Sequence, residues 1–132
     1  ISAALKMVTD LERVGNQSAD IAELTAVCSL PDAARTADLH DMALAVIRMV
    51  NASVEAFLHG DAAEAQAVID SDDEADADFD RIKRALIQAI RTDPAAGVYA
   101  IDVLMIAKYL ERIGDHAVNI GKWILFAVNG QL

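Results

Sequence analysis

The chain has 132 residues, of which 55% are hydrophobic and 5% aromatic, and this composition favours helices packed through aliphatic seams over β-sheets. Its formal net charge of −10 disfavours nucleic acid and anionic lipid as partners, because both are bound through Lys and Arg, and it favours cations and basic protein surfaces. A single cysteine, Cys28, excludes an internal disulfide and fits a reducing compartment.

The sequence shows no signal peptide and no segment that we expect to insert into a membrane. Its first residue, Ile1, already lies in a helical pattern. We therefore expect the chain to be part of a longer protein, whose targeting signals could lie elsewhere.

Three short breaks predict α-helices near residues 1–28, 35–59, 62–91 and 94–129. The breaks are Ser29-Leu30-Pro31-Asp32, His59-Gly60-Asp61 and Thr92-Asp93-Pro94. In the second break Gly60 can end one helix in the left-handed conformation and Asp61 can cap the next, with Glu64 placed to complete a capping box. In the third, Asp93 is the predicted N-cap and Pro94 the first helical residue. Connections this short predict that consecutive helices run antiparallel.

Apolar residues recur every three or four positions along the predicted helices, which indicates a buried seam on each. In the last helix the seam comprises Val103, Ile106, Leu110, Ile113, Ala117, Ile120, Ile124 and Ala127. In the third helix Asp72 falls on the same register as the apolar residues. From Asp61 to Asp80 that helix has nine acidic residues and no basic one. Basic residues follow, so the distribution complements the helix dipole, but the dipole does not explain the density of acids.

A short motif occurs twice, 99 residues apart. The segment Leu11-Glu12-Arg13-Val14-Gly15-Asn16 aligns with Leu110-Glu111-Arg112-Ile113-Gly114-Asp115. A repeat of this kind predicts a repeated supersecondary unit. We interpret residues 1–28 as the last helix of a first three-helix unit and residues 35–132 as a complete second unit, packed together as one all-α antiparallel bundle.

The register places one set of polar side chains from each copy on the outward face, at positions i, i+4 and i+8. These are Glu111, Asp115 and Asn119 in the second copy, and Glu12, Asn16 and Asp20 in the first. A line of small residues runs beside each set: Ala107, Gly114 and Gly121, and correspondingly Val8, Gly15 and Ala22. Small residues permit close approach, so we expect the two motif helices to meet there and to bring their carboxylates side by side.

Clustered carboxylates repel one another unless water, bases or a bound cation offsets their charge. Oxygen donors suit Mg²⁺, Ca²⁺, Mn²⁺ or iron, so the two sets are candidate metal ligands, with a solvated acidic face as the alternative. His116 could join such a site, whereas His40 and His59 have no evident partner. No histidine has Glu three residues before it, so a ferritin-like di-iron enzyme is not expected. The sequence has no Ser/His/Asp set, Gly-rich phosphate loop or cysteine spacing for zinc either, so we do not expect an enzyme.

The two motif segments, and the acidic run Asp72-Asp73-Glu74-Ala75-Asp76, resemble the signature helices of the PhoU family. The resemblance implies two tandem three-helix bundles and a cytoplasmic negative regulator of phosphate uptake and phosphate-starvation signalling. It implies the ATPase subunit of the phosphate transporter and a sensor histidine kinase as partners, and a homodimer is also compatible with it. It further implies metal ions (iron, Zn, Mn, Mg or Ca) bound through a Glu/Asp-x-x-x-Asp motif.

Carried over to this chain, the metal motif is complete as Glu111 and Asp115, with Asp72, Asp73, Asp76 and His116 as secondary candidates. In the first copy Glu12 is followed by Asn16, so that site should be weaker or should rely on Asp20. Two alternatives remain open at this point. The chain could be a PhoU-like cytoplasmic domain of a sodium–phosphate cotransporter, or a helical interaction module that binds no metal.

Overall fold

The computed structural model describes residues 2–27 and 33–130, and this part of the chain is helical, with no β-strand. The helices are α1 (Ser2–Val27), α2 (Ala33–His59), α3 (Ala62–Asp70), α4 (Asp72–Thr92) and α5 (Gly97–Asn129), with a 3₁₀ turn at Pro94–Ala96. The predicted all-α bundle is therefore confirmed. Cys28 and the predicted break at residues 29–32 lie outside the described residues.

The second and third predicted breaks are confirmed, with one difference. Gly60 has a φ of 60°, and the Asp61 side chain accepts hydrogen bonds from the backbone N–H groups of Ala63 (2.8 Å) and Glu64 (3.1 Å). The Glu64 carboxylate does not complete the capping box. It pairs instead with Nδ1 of His59 at 2.9 Å, and this hydrogen bond raises the pKa of His59, which the sequence analysis had left without a partner.

The third predicted helix is interrupted at Ser71, which separates α3 from α4. The Ser71 hydroxyl donates to the carbonyl of Val68 at 2.6 Å, and its backbone N–H bonds back into α3. A serine that bonds to the preceding turn competes with regular helical hydrogen bonding. The prediction of one continuous helix over 62–91 was therefore wrong at this residue, and α3 and α4 pack separately against α2 and α5.

Helix α5 is the central element and packs against each of the other helices. Its predicted seam is buried from Val103 to Ile124, and Met42, Val46 and Met49 of α2 pack against it in the main core. The 22-residue stretch Asp38–His59 of α2 is long and apolar enough to cross a membrane by length and composition, a test that core helices also pass.

Helix α1 runs antiparallel along α5 within the same chain. Asp10 contacts His116, and Lys6, four residues earlier on α1, lies over the ring of Trp123, seven residues later on α5. Between residues 3 and 23 of α1, the positions that are at least partly buried are Ala3, Met7, Asp10, Val14, Gln17, Asp20 and Ile21. The expectation that the small residues form this interface was wrong.

The small residues of α5 face α2 and α3 instead. A Cβ added at Gly114 would lie 3.6 Å from the side chain of Met49 on α2. One added at Gly121 would lie only 3.0 Å from the carbonyl oxygen of Ala65 on α3, whereas Gly15 of α1 has no heavy atom within 4 Å of the corresponding position. Helix α5 packs against other helices on several sides. Its glycines permit the close approach of α2 and α3, which belong to the same three-helix unit, and α1 packs against a different face of α5.

Candidate functional site

Four acidic side chains that repel one another electrostatically lie where α4 packs against α5, and we call them the carboxylate cluster: Asp72 and Asp76 of α4, with Glu111 and Asp115 of α5. Asp72 is half-buried at the start of α4, and the side chain of Glu111 is only 19% exposed. Asp76 and Asp115 are exposed as whole residues, although their neighbours partly shield the two carboxylates from water. The four positions fall on one side of each helix because they are spaced four residues apart on both.

The electrostatics of the cluster show that its members act on one another. Burial raises the pKa of Asp72, and the negative charges of Asp115, Asp73 and Glu111 raise it further. Burial followed by repulsion from Asp72 and Glu111 raises the pKa of Asp76. Burial followed by repulsion from Glu111 and Asp76 raises the pKa of Asp115. A cation placed among these groups would reverse the effect, since opposite charge favours the ionised carboxylate.

A lysine supplies part of the missing positive charge. Nζ of Lys108 bonds to Oε1 of Glu111 at 2.6 Å and also lowers the pKa of Asp115. Lys122 similarly offsets some of the repulsion at Asp72. Within residues 2–27 and 33–130, no three His, Cys, Asp or Glu side chains converge on a point that a metal ion could occupy. The donor set therefore suits a hard cation in its chemistry, but its carboxylates are spread apart and one of them is held by Lys108.

The first copy of the motif lies elsewhere. Glu12 and Asn16 are exposed on α1, and Asp20 is half-buried. The negative charges that raise the pKa values in the carboxylate cluster all come from α4 and α5. The expectation that the two motifs bring their carboxylates side by side was therefore wrong. The acidic partner of the second motif is α4, and no acidic helix among the described elements packs against α1 in the same way.

His116 and Asn119 are directed towards α1. Nδ1 of His116 forms a hydrogen bond with Oδ1 of Asp10 at 2.9 Å, and this pair is nearly buried, with side chains 16% and 7% exposed. Asn119 lines an open groove of about 340 Å³ between α1 and α5, which we call the α1–α5 groove. Neither residue therefore contributes an oxygen or nitrogen to the carboxylate cluster in this arrangement, although the charge of His116 lowers the pKa of Asp115.

Two buried acids were not identified from the sequence. Asp10 is 5% exposed and anchors α1 to α5 through His116. Asp78, equally buried on α4, pairs with Arg81, which also reaches Asp38 of α2 at 3.5 Å. The signal for Asp10 was present, because Ala3, Met7, Asp10 and Val14 follow one seam in steps of four, three and four.

Comparison with known proteins agrees with this architecture. A family model described as the PhoU domain matches residues 39–124. Over 99% of its length the chain is 33% identical to the phosphate-specific transport system accessory protein PhoU homolog of Xylella fastidiosa, and it covers 56% of that protein. Over 95% of its length it is 30% identical to the protein of the same name from Pseudomonas aeruginosa, of which it covers 52%.

Two crystal structures of PhoU proteins also match the fold of this chain. The crystal structure of PhoU from Pseudomonas aeruginosa matches with a TM-score of 0.87 at 29% identity, over 98% of this chain and 63% of that one. The phosphate transport system regulatory protein PhoU from Streptococcus pneumoniae matches with the same TM-score at 23% identity, over 98% of this chain and 62% of that one, and supports the fold alone. The chain spans little more than half the length of the curated relatives that it matches.

Proposed function

Because this chain belongs to the PhoU family, we propose that it acts as a non-enzymatic regulator of phosphate-specific transport, one that lowers phosphate uptake when phosphate is plentiful. The observation that carries the proposal is its similarity, along almost its whole length, to proteins named as accessory proteins of that transport system. We further propose a cytoplasmic location, with the ATPase subunit of the transporter and the sensor histidine kinase of phosphate starvation as partners. The acidic surface suits docking on basic faces of such partners.

The regulatory role is tested in the organism that encodes the chain. Deleting the coding segment should increase the uptake of radiolabelled phosphate by cells grown in excess phosphate, because a negative regulator has been lost. Restoring the segment on a plasmid should return uptake to its original rate. Unchanged uptake after deletion would reject the regulatory proposal, whatever the protein binds.

We also propose that the carboxylate cluster binds a divalent or trivalent metal ion. The proposal is supported by the oxygen-only donor set and by the mutual repulsion of Asp72, Asp76 and Asp115, which a cation would relieve. Because Lys108 holds Glu111, binding requires this carboxylate to leave the lysine and turn towards its neighbours. The ion would add positive charge beyond what Lys108 and Lys122 supply at this surface, where partner proteins could then recognise it.

Metal binding is tested by titrating Mn²⁺, Fe²⁺, Zn²⁺, Mg²⁺ and Ca²⁺ into the chelator-treated protein and measuring bound metal by elemental analysis. The variant Glu111→Ala/Asp115→Ala should lose the bound ion. A matched control, Asp41→Ala/Glu55→Ala, removes two exposed carboxylates from α2 and the same net charge. Equal metal content in all three proteins would reject the cluster as the site. Absence of metal from the wild-type protein would favour a metal-free interaction module.

A further inference from the structure

The α1–α5 groove concentrates positive charge on a strongly acidic protein. The whole chain has 11 Lys and Arg residues and a net charge of −10, yet three of those bases line this one groove. They are Lys6 and Arg13 of α1 and Lys122 of α5. The remaining lining residues are Thr9, Asp10, Asn119 and Trp123. With Asp10 counted as −1 and His116 as neutral, the formal charge around the groove is +2.

The three basic side chains form no ion pairs with other described residues. Across the part of the chain that the structure describes, no carboxylate lies within ion-pair distance of Lys6, Arg13 or Lys122. Nζ of Lys6 lies 5.3 Å from the centroid of the Trp123 ring, a cation–π contact that holds the amine at the wall of the groove. Like-charged groups gathered in this way repel one another, which an anion between them would relieve.

The one acid in the groove is already engaged. Asp10 is 5% exposed, and its Oδ1 forms a hydrogen bond with Nδ1 of His116. Its carboxylate is therefore directed into the contact between the two helices and is largely withdrawn from the open groove. The Asn119 side chain can donate two N–H groups, and the guanidinium of Arg13 offers a planar fork of donors that matches two oxygens of a phosphate group.

We propose that the α1–α5 groove binds a tetrahedral phosphate oxyanion through Lys6, Arg13 and Lys122, with Asn119 as an additional donor. The formal charge of +2 matches a dianion such as hydrogen phosphate. The groove is open and has a volume of about 340 Å³, so it also admits a phosphate group attached to a peptide. The ligand is either free inorganic phosphate or a phosphorylated protein segment, and the two share this recognition chemistry.

The groove is distinct from the carboxylate cluster, and the inference extends the proposed function without depending on it. The two proposals can fail separately. Phosphate binding is measured on the isolated 132-residue chain, whereas the regulatory role is measured by uptake in cells.

The experiment compares two variants that remove the same charge from equivalent positions of the repeat. Arg13→Gln removes a base from the groove. Arg112→Gln removes its counterpart in the second motif, which is exposed and lies over the Tyr109 ring, outside the groove. Inorganic phosphate and a phosphoserine peptide are each titrated by calorimetry at 0.15 M KCl, where attraction to net charge alone is strongly screened.

We expect Arg13→Gln to weaken binding about 5- to 10-fold and Arg112→Gln to leave it within about 2-fold, since a charged hydrogen bond in a half-open site is worth more than a screened surface charge. Lys122→Gln provides a second groove variant if Arg13→Gln unfolds the protein, as judged by circular dichroism. Binding of free phosphate supports a phosphate sensor, and binding of the peptide alone supports a docking groove for a phosphorylated partner. No binding of either ligand, or equal weakening by Arg13→Gln and Arg112→Gln, overturns the proposal.

Discussion

The contact between α5 and α3 at Gly121 predicts a sharp difference between two chemically identical substitutions. A Cβ at Gly121 would lie 3.0 Å from the carbonyl oxygen of Ala65 and 3.1 Å from Cγ1 of Ile69. The backbone oxygen cannot rotate away, so α3 or α5 must shift. A Cβ at Gly114 would meet the flexible end of Met49 at 3.6 Å and Cγ2 of Val46 at 3.9 Å, which are ordinary van der Waals contacts.

The expected change in the free energy of unfolding follows from two opposing effects. Replacing Gly by Ala inside a helix stabilises it by about 1 kcal/mol, and this gain is the same at both positions of α5. Overpacking at Gly121 costs about 1–3 kcal/mol, whereas Gly114 has no such cost. Gly114→Ala should therefore be more stable than the wild type by about 0.5–1 kcal/mol, and Gly121→Ala should be about 1–3 kcal/mol less stable than Gly114→Ala.

The assay is urea unfolding of both variants, followed by the circular dichroism of the helices. A difference of 1 kcal/mol should appear in thermal unfolding as about 3–5 °C for a domain of this size. Gly15→Ala, at the corresponding position of α1, has no neighbour within 4 Å and serves as a control for helix propensity alone. Equal stability of the Gly114 and Gly121 variants would refute the close approach of α3 to α5.

Three further predictions concern buried or clustered polar groups. Asp115→Asn should stabilise the metal-free protein at pH 7 by about 0.3–0.5 kcal/mol after allowance for solvent screening. The folded-state pKa of Asp115 is raised, so the native state loses stability as pH rises through that pKa, and the benefit of Asn should vanish below about pH 3, where Asp115 is largely protonated in both the folded and the unfolded state. Asp10→Ala should destabilise the protein by about 1–3 kcal/mol because it leaves His116 buried without its partner, and urea unfolding should show a lower midpoint. Gln17→Met should raise the thermal midpoint by a few degrees, about 1 kcal/mol, since Oε1 of Gln17 is buried without a hydrogen bond in the described part of the chain; an unchanged midpoint would indicate that water reaches this oxygen.

The features that the sequence predicted well are local. The N-cap at Asp61, the N-cap at Asp93 and the left-handed Gly60 depend on a few consecutive residues, and the structure confirms all three. The seam of α5 could be predicted equally well, because its period is set by the helix itself, and seven of its eight residues are buried. The break at Ser71 was not, since a serine inside a helix is compatible with either outcome until its hydroxyl finds a carbonyl.

The partner of each helix face could not be read from periodicity. The register showed that Glu111 and Asp115 lie on one side of α5, but whether α1 or α4 faces them depends on how five helices pack in three dimensions. The same holds for Gly114 and Gly121. Small residues indicate that another helix approaches closely, but they do not show which helix it is. Asp72 and Asp76 were secondary candidates in the sequence, and in the structure they are the α4 acids whose pKa values the negative charges of the second motif raise.

The repeat itself explains an asymmetry in the contact between α1 and α5. Asp10 aligns with Tyr109, and Gln17 aligns with His116, at the same offset of 99 residues. In an antiparallel pair of related helices, the contact of Asp10 with His116 is mirrored by the positions of Gln17 and Tyr109. One end of the pair therefore carries a satisfied hydrogen bond, while the other leaves Oε1 of Gln17 buried and unbonded in the described structure.

The positive charge of Lys122 acts on both sides of α5. Its amine lines the α1–α5 groove on one side and lowers the pKa of Asp72 on the other. An oxyanion in the groove would draw this charge away from the carboxylates, and a cation among the carboxylates would push it towards the groove. Each ligand would then strengthen the binding of the other, and thermodynamic reciprocity requires both to gain by the same factor. A single lysine would thus make the protein respond to cation and oxyanion jointly.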